Sequence, residues 1–317
     1  MERRLQTLAR ALALAAAGAA LALVVLWPAH AYAWGPLAHL EFAGGALANP
    51  ALLPAGLNAL LSELTNEYLY GTLAADMIVG KNLSRYVVHC HNWQVGFQLL
   101  GQARDEPERA FAWGFLAHLA ADTIAHNYYV PYKTVQSYAW RRRGHAYWEL
   151  RYDQKLSPDL WRIARRVSRR VVRRHDVFLR GAIEGSSVLP FGLSRRMFGG
   201  LLLTARLQRW QKMSAVIARE HDDLPLHEEE VAEMRDLAVA QIVGVLQLGP
   251  EAPGVGADPT GLRNLRLATD MRHRFRVART NGLPPEGAAH TLARVRPAFR
   301  DAIHGPLHLP HLDELYA

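Results

Sequence analysis

Residues 111–126 read FAWGFLAHLAADTIAH and are the most informative stretch of the chain. Apolar side chains recur there at three- and four-residue spacing, which is typical of an α-helix. His118, Asp122 and His126 follow one another at four-residue steps, so we expect all three along one helix face. The residues between them are small or apolar and place that face in a core. A buried Asp122 needs a partner for its charge, and a divalent metal ion is one such partner.

The same helical period recurs in residues 57–69, 160–179, 195–217 and 229–248. No convincing alternating strand pattern occurs, so the sequence predicts an all-α protein. We expect loops at residues 48–56, 82–86, 130–144, 181–193 and 249–260.

The loop at 249–260 contains PEAPGVGADP and is the best candidate for a domain boundary. We therefore divide the chain into a domain over residues 34–250 and a C-terminal tail over residues 251–317. The tail is either a helical pair packed on the core or a partly ordered appendage. The sequence leaves this choice open.

The N-terminus has the pattern of a secretory signal peptide. Three arginines in the first ten residues precede an apolar run at 11–27, and Ala-Tyr-Ala follows at 31–33. We interpret residues 1–33 as a signal peptide whose cleavage makes Trp34 the first mature residue, and we expect export to the periplasm or the medium. A second cut after residue 31 and an uncleaved membrane anchor are the alternatives.

Composition limits the function classes. The 317 residues carry a formal charge of +8 and one cysteine, Cys90. An intrachain disulfide is excluded, so bound metal is one candidate for stabilising an exported chain. A basic surface suits a phosphate substrate, a lipid head group or a nucleic acid, and charge does not choose among them.

Further ligand-type side chains surround the 111–126 stretch in sequence. They are His39, Asp76, His89, His91, His145 and Glu149. A His/Glu pair one helical turn apart, as at His145 and Glu149, offers two zinc ligands from one rigid helix. Each residue alone also has an ordinary explanation, such as a helix cap, a surface pair or a core histidine. Their occurrence together, in one order, is what indicates a metal site.

Two of these stretches are similar to those of a known family. The run from His118 to His126 resembles the corresponding run in the N-terminal domain of GPI-specific phospholipase D. WGPLAH at Trp34–His39 resembles the mature start of the related single-strand-specific zinc nucleases. From about residue 34 to 153 the chain thus resembles the zinc-dependent phospholipase C family. This resemblance implies a multi-helix core and a cluster of two to three zinc ions. For the whole chain we therefore predict such a core with a helical C-terminal extension.

The resemblance also implies a ligand set. One zinc would be held by the amino group and carbonyl of Trp34 with His39 and Asp122. A second would be held by Asp76, His91, His118 and Asp122. The third would be held by His126, His145 and Glu149, with a position open to water. His91 is preferred to His89, which becomes a residue supporting the ligands. Asp76 is the candidate to orient or deprotonate the attacking water.

On this resemblance we expect an exported zinc-dependent phosphodiesterase that hydrolyses phospholipids. Clustered zinc suits phosphate esters because it lowers the pKa of bound water and neutralises transition-state charge. The arginine-rich residues 161–174 are candidates to meet an anionic membrane surface, and no obligate protein partner is inferred. A single-strand nuclease or nucleotidase of the same fold, and a non-catalytic zinc-containing membrane-associated binding protein, are the alternatives.

Overall fold

The computed structural model describes residues 34–77, 91–140, 144–170, 172–184, 200–217, 224–282 and 285–310. All regular structure in these ranges is helical, which confirms the predicted all-α class. The α-helices are α1 (Pro36–Leu47), α2 (Ala55–Glu63), α3 (Thr65–Ala74), α4 (Trp93–Gln102), α5 (Glu106–Ile124), α6 (Val130–Gln136), α7 (His145–Asp153), α8 (Leu160–Arg170), α9 (Val172–Glu184), α10 (Gly200–Ile217), α11 (Glu228–Leu248), α12 (Leu262–Thr280) and α13 (Pro285–Asp301). Short 3₁₀ turns lie at Pro50–Leu52, Ala75–Met77, Gly249–Glu251 and Pro253–Gly256, and a π-helical turn at Ala125–Tyr129 joins α5 to α6.

Helix α5 is the centre of the fold. From Ala110 to Ile124 every residue is buried except the half-buried Trp113. A helix that is apolar on nearly all faces must be surrounded by others, and α3, α4 and α11 pack against it. The carboxylate of Asp105 caps its first turn by accepting a hydrogen bond from the backbone N–H of Glu108 at 3.0 Å.

Helices α3 and α5 approach closely at two glycines. A Cβ on Gly71 would overlap the backbone of Phe111, and a Cβ on Gly114 would overlap the backbone of Tyr68. Only glycine permits this backbone contact. The contact sets the spacing between α5, which carries His118 and Asp122, and α3, which leads directly into the turn with Asp76.

Two local predictions are wrong. The segment 57–69 is not one helix, because Leu64 leaves helical geometry at φ −105° and ψ 41°. The hydroxyl of Thr65 donates to the carbonyls of Leu61 and Ser62 there, a local bond that competes with the helix. Of the predicted loop 130–144, residues 130–136 form α6 instead. Pro131 is tolerated because it lies in the first turn of that helix.

The C-terminal residues are a helical pair that packs on the core. Helices α12 and α13 both contact α6 and the π-helical turn. Phe275 of α12 and Phe299 of α13 are completely buried. Between the two alternatives for this region, the structure therefore has the packed pair, whereas the domain division at residue 250 stays a prediction. Among the described helices, none is both long and apolar enough to cross a membrane.

Candidate metal centre

His118 lies on the buried surface of α5, and the neighbouring helix α3 holds its ring. Its Nδ1 lies 2.8 Å from the backbone carbonyl oxygen of Thr72. Because a carbonyl can only accept a hydrogen bond, Nδ1 carries the proton and Nε2 presents its lone pair on the other side of the ring. Metal-binding histidines are commonly oriented by such a bond.

Nε2 of His118 lies in a cluster of five predicted ligands, His118 included. It is 3.0 Å from Nε2 of His91 and 3.1 Å from Oδ2 of Asp122. Nε2 of His91 is in turn 3.1 Å from Oδ1 of Asp76. On the other side, Oδ1 of Asp122 is 3.4 Å from Nε2 of His39. We refer to His39, Asp76, His91, His118 and Asp122 as the Asp122 group.

The spacing in the Asp122 group fits a metal ion. Two atoms each about 2.0–2.1 Å from zinc at a tetrahedral angle are about 3.3–3.4 Å apart, and the distances above bracket that value. Within the described part of the chain, both ring nitrogens of His39 and both oxygens of Asp122 are buried without a hydrogen bond. Buried polar atoms are normally satisfied, and a cation between them would do so. The residues present therefore fit zinc.

The charges of the group suit metal binding in the same way. Burial, together with the neighbouring His118, lowers the pKa of His39 to about 3. Burial raises the pKa of Asp122, but the charges of His118 and His39 outweigh this effect and lower it to about 2. Burial lowers the pKa of His118, but the charges of Asp122 and Asp76 more than offset it, so this pKa is raised. Metal binding at Nε2 of His118 therefore competes with protonation of that nitrogen.

His126, His145 and Glu149 form a second group, hereafter the His126 group. Nε2 of His145 lies 2.7 Å from Oε1 of Glu149. The rings of His126 and His145 meet edge to face with centroids 5.1 Å apart. The potential ligand atoms of all three residues lie within 4.8 Å of one another. Glu149 is fully buried, whereas 19% of the His145 side chain is exposed.

The sequence predicted His118, Asp122 and His126 along a single α-helical face. The structure instead places His126 in the π-helical turn, after α5 has ended at Ile124. A π turn is wider than an α turn, so residues beyond it leave the register of the helix. His118 and Asp122 thus belong to one group and His126 to the other.

Asp76 differs from the other carboxylates of the two groups in its exposure. Its side chain is 19% exposed, whereas those of Asp122 and Glu149 are completely buried. It lies in the 3₁₀ turn that follows α3. A carboxylate that borders both the cluster and solvent is well placed to contact a water molecule or a substrate.

Trp34 is anchored beside the Asp122 group. Its indole Nε1 donates to the carbonyl of Ala121 at 2.8 Å, one residue before Asp122. Its ring is fully buried and stacks on Tyr129 with centroids 4.9 Å apart. Ala33, His89 and Cys90 lie outside the described ranges. The predicted cleavage after Ala33 and the predicted support of the ligands by His89 therefore stay predictions.

Asp153 is a buried residue whose role the sequence did not reveal. Its carboxylate accepts hydrogen bonds from the backbone N–H groups of Leu37 and Ala38, at 3.3 and 3.0 Å, and from the indole of Trp210 at 2.8 Å. It thereby caps the first turn of α1. Burial raises the pKa of Asp153 to about 7, even though these hydrogen bonds favour the ionised carboxylate. The only signal was its position four residues after Glu149. A side chain on α7 thus fixes the helix that carries His39.

The aromatic residues after His126 are mainly core. Tyr128 and Tyr129 are buried, and the hydroxyl of Tyr129 donates to the carbonyl of Trp148 at 2.9 Å. Tyr132 and Tyr138 are partly buried against the core. Packing therefore accounts for these four side chains.

The geometry agrees with a comparison against known families. Residues 38–181 match the sequence model of the family described as zinc dependent phospholipase C. No curated protein and no solved structure matches the chain. The matched region contains every predicted metal-binding residue except Trp34, and it ends before α12 and α13 begin. Over residues 38–181 the chain is therefore similar to the zinc-dependent phospholipase C family.

Proposed function

We propose that this protein is an exported zinc-dependent phosphodiesterase that hydrolyses phospholipids. The observation that supports this most directly is the Asp122 group, which lies inside the region matching the family. A fully buried carboxylate with three imidazole nitrogens 3.1–3.5 Å from its oxygens is costly unless a cation is held between them. In this proposal Trp34, His39 and Asp122 hold one ion, and Asp76, His91, His118 and Asp122 hold a second. The His126 group holds a third.

The chemistry that zinc supplies when bound is Lewis-acid neutralisation of phosphoryl oxygens and acidification of water. The protein's own residues then set orientation. Thr72 fixes the tautomer of His118 through its carbonyl. Asp76, whose side chain is partly exposed, accepts a hydrogen bond from the attacking water and takes up its proton. Asp122 and Glu149 are completely buried, so bulk water does not reach these two carboxylates.

The test uses the purified protein loaded with zinc, whose metal content is measured before each assay. Phosphatidylcholine vesicles and single-stranded DNA are offered as substrates, with Asp76→Asn as a matched variant. We expect hydrolysis of the lipid and a loss of at least about a hundredfold in kcat for Asp76→Asn, within the range for general acid–base catalysis. Diacylglycerol as product would indicate C-type cleavage, and phosphatidic acid would indicate D-type cleavage.

The nuclease alternative rests on WGPLAH at 34–39 and on the formal charge of +8. Hydrolysis of single-stranded DNA or 3′-nucleotides, with none of vesicle or micellar phospholipid, would replace the lipid proposal by this one. A protein with bound zinc and activity on none of these substrates would instead support the non-catalytic alternative.

A further inference from the structure

The C-terminal residues 257–264 contact two of the turns that carry predicted ligands. The indole of Trp93, two residues after His91, donates to the carbonyl of Ala257 at 2.8 Å. Nδ1 of His126 lies 2.5 Å from the carbonyl oxygen of Pro259. One short segment thus reaches residues beside both the Asp122 group and the His126 group, although it lies outside the family match.

The side chains around this contact hold the segment in place. The amide of Asn127 donates to the carbonyl of Asp258 at 2.9 Å. The amide of Asn264, in the first turn of α12, donates in return to the backbone and side-chain oxygens of Asn127 at 3.3 and 3.2 Å. The carboxylate of Asp258 accepts from the backbone N–H of Thr260 at 2.9 Å, which closes a local turn.

Gly261 is the position where only one residue type fits. Its φ of 51° and ψ of 24° are left-handed, a conformation that side chains with a Cβ rarely adopt. A Cβ there would also overlap the carbonyl group of His126. The segment can therefore approach the π-helical turn closely only because residue 261 is glycine.

The bond to Pro259 determines how His126 presents itself. A backbone carbonyl can only accept, so Nδ1 of His126 carries the proton and Nε2 is left with its lone pair. The rings of His126 and His145 meet edge to face, and a ligand atom of each lies within 4.8 Å of the other and of one from Glu149. The carbonyl of Thr72 orients His118 in the same way, and Thr72 lies within the region that matches the family. Pro259, which orients His126, lies outside that region.

We propose that residues 257–264 are an integral part of the metal centre, in which the Pro259 carbonyl is the group that positions His126 for binding zinc. The C-terminal helical pair is then not an appendage, because the first turn of α12 belongs to this segment. The inference rests on the proposed role of the His126 group in holding zinc. It adds a positioning element from beyond the matched family region.

The test compares Gly261→Ala with Gly282→Ala in the full-length protein. Gly282 also has a positive φ, 91°, but an added Cβ would meet nothing within 4 Å. Zinc affinity is measured by competition with a chelator of known affinity. We expect Gly261→Ala to weaken the binding of one zinc ion by about ten- to a hundredfold, as for other lost supporting contacts, and the remaining zinc to bind normally. Gly282→Ala should bind zinc like the parent protein.

A second variant shows whether an effect of Gly261→Ala on zinc binding arises only from misfolding. Asn264→Ala removes the amide that ties α12 to Asn127 and leaves the backbone conformation of Gly261 available. We expect it to weaken the binding of the same zinc ion. Unchanged zinc binding in both Gly261→Ala and Asn264→Ala, or an equal loss in Gly282→Ala, would overturn the inference.

His126→Ala separates this inference from the proposed function. If His126→Ala loses one zinc while Gly261→Ala and Asn264→Ala retain all of it, His126 is a ligand and only the role of the segment is wrong. If His126→Ala itself binds zinc normally, the His126 group does not hold metal and the proposed site is wrong as well.

Discussion

At the scale of single residues, Asp122 is the most constrained side chain of the site. Both of its oxygens are buried, and imidazole nitrogens of His39, His91 and His118 lie 3.1–3.5 Å from them. Its four-residue spacing from His118 was readable in the sequence. The convergence of His39 and His91 on Asp122 was expected only from the family resemblance, because these two residues come from other parts of the chain and no spacing links them to Asp122.

We predict that Asp122→Asn loses more zinc and more activity than His145→Ala. The amide keeps the shape of the carboxylate but removes the charge that holds two cations close together, whereas His145→Ala removes one ligand from one group. The zinc content of each purified variant, measured after identical metal loading, tests this. Normal phosphodiester hydrolysis by Asp122→Asn would show that the residue does not bridge two ions.

His175 is a buried histidine that the metal site does not use. Its ring stacks on Phe111 with centroids 4.9 Å apart and planes 2° from parallel, and 1% of the residue is exposed. Burial, followed by the charge of Arg174, lowers its pKa to about 4. The unfolded chain, with an ordinary histidine pKa near 6.5, therefore binds more protons between about pH 4 and pH 6.5.

Because the unfolded chain binds more protons in this range, lowering the pH favours unfolding. We predict that His175 lowers the free energy of unfolding as the pH falls from about 6.5 to about 4, by up to roughly 3 kcal/mol. His175→Phe keeps a flat ring against Phe111 but has no proton to take up, so its stability should fall less over this range. Urea unfolding of both proteins at several pH values measures the difference. Parallel pH profiles would contradict the prediction.

At the scale of elements, periodicity predicted the helices that are long or strongly patterned. The segment 229–248 corresponds to α11 at Glu228–Leu248, and 111–126 falls on α5 and its π-helical extension. The errors arose where local geometry departs from a straight α-helix. Leu64 interrupts one predicted helix, and the π turn carries the chain directly into α6 where a loop was expected.

The contact between α3 and α5 gives a test at this scale. Gly114→Ala inserts a Cβ into the backbone of Tyr68, so the two helices must separate. We predict a loss of about 1–3 kcal/mol in the free energy of unfolding, the usual cost of overpacking, together with weaker zinc binding. The second effect is expected because α3 carries the Thr72 carbonyl and α5 carries His118.

The control is Gly44→Ala on α1, where an added Cβ meets nothing within 4 Å. Replacing an exposed helical glycine by alanine should raise the free energy of unfolding by roughly 0.5–1 kcal/mol. Denaturant melts and zinc analysis of both variants separate a packing effect from a general glycine effect. Equal stability of Gly114→Ala and the parent would show that the close approach is not required.

At the scale of the whole molecule, metal and fold are expected to be coupled. In the described part of the chain, the side-chain polar atoms of Asp122 and His39 are buried without a hydrogen bond, and a cation would satisfy them. Because binding energy at such a site is folding energy, we predict that a chelator lowers the melting temperature by about 10 °C or more. Differential scanning calorimetry with and without chelator, followed by zinc addition, measures this shift. An unchanged melt would mean that metal does not stabilise the fold.

The sequence by itself determined the helical class and the identity of the ligand-type residues. Both are local properties: a 3.6-residue period and a four-residue spacing are visible in any single segment. It also determined the resemblance that the match over residues 38–181 confirms.

Only the tertiary structure decided what supports these residues. It brought Asp153 to the start of α1 and set the Pro259 carbonyl against His126. These contacts join residues more than a hundred positions apart or depend on backbone carbonyls, which have no residue type. They follow from helix packing and from a widened turn, and neither leaves a period in the sequence that could be read in advance.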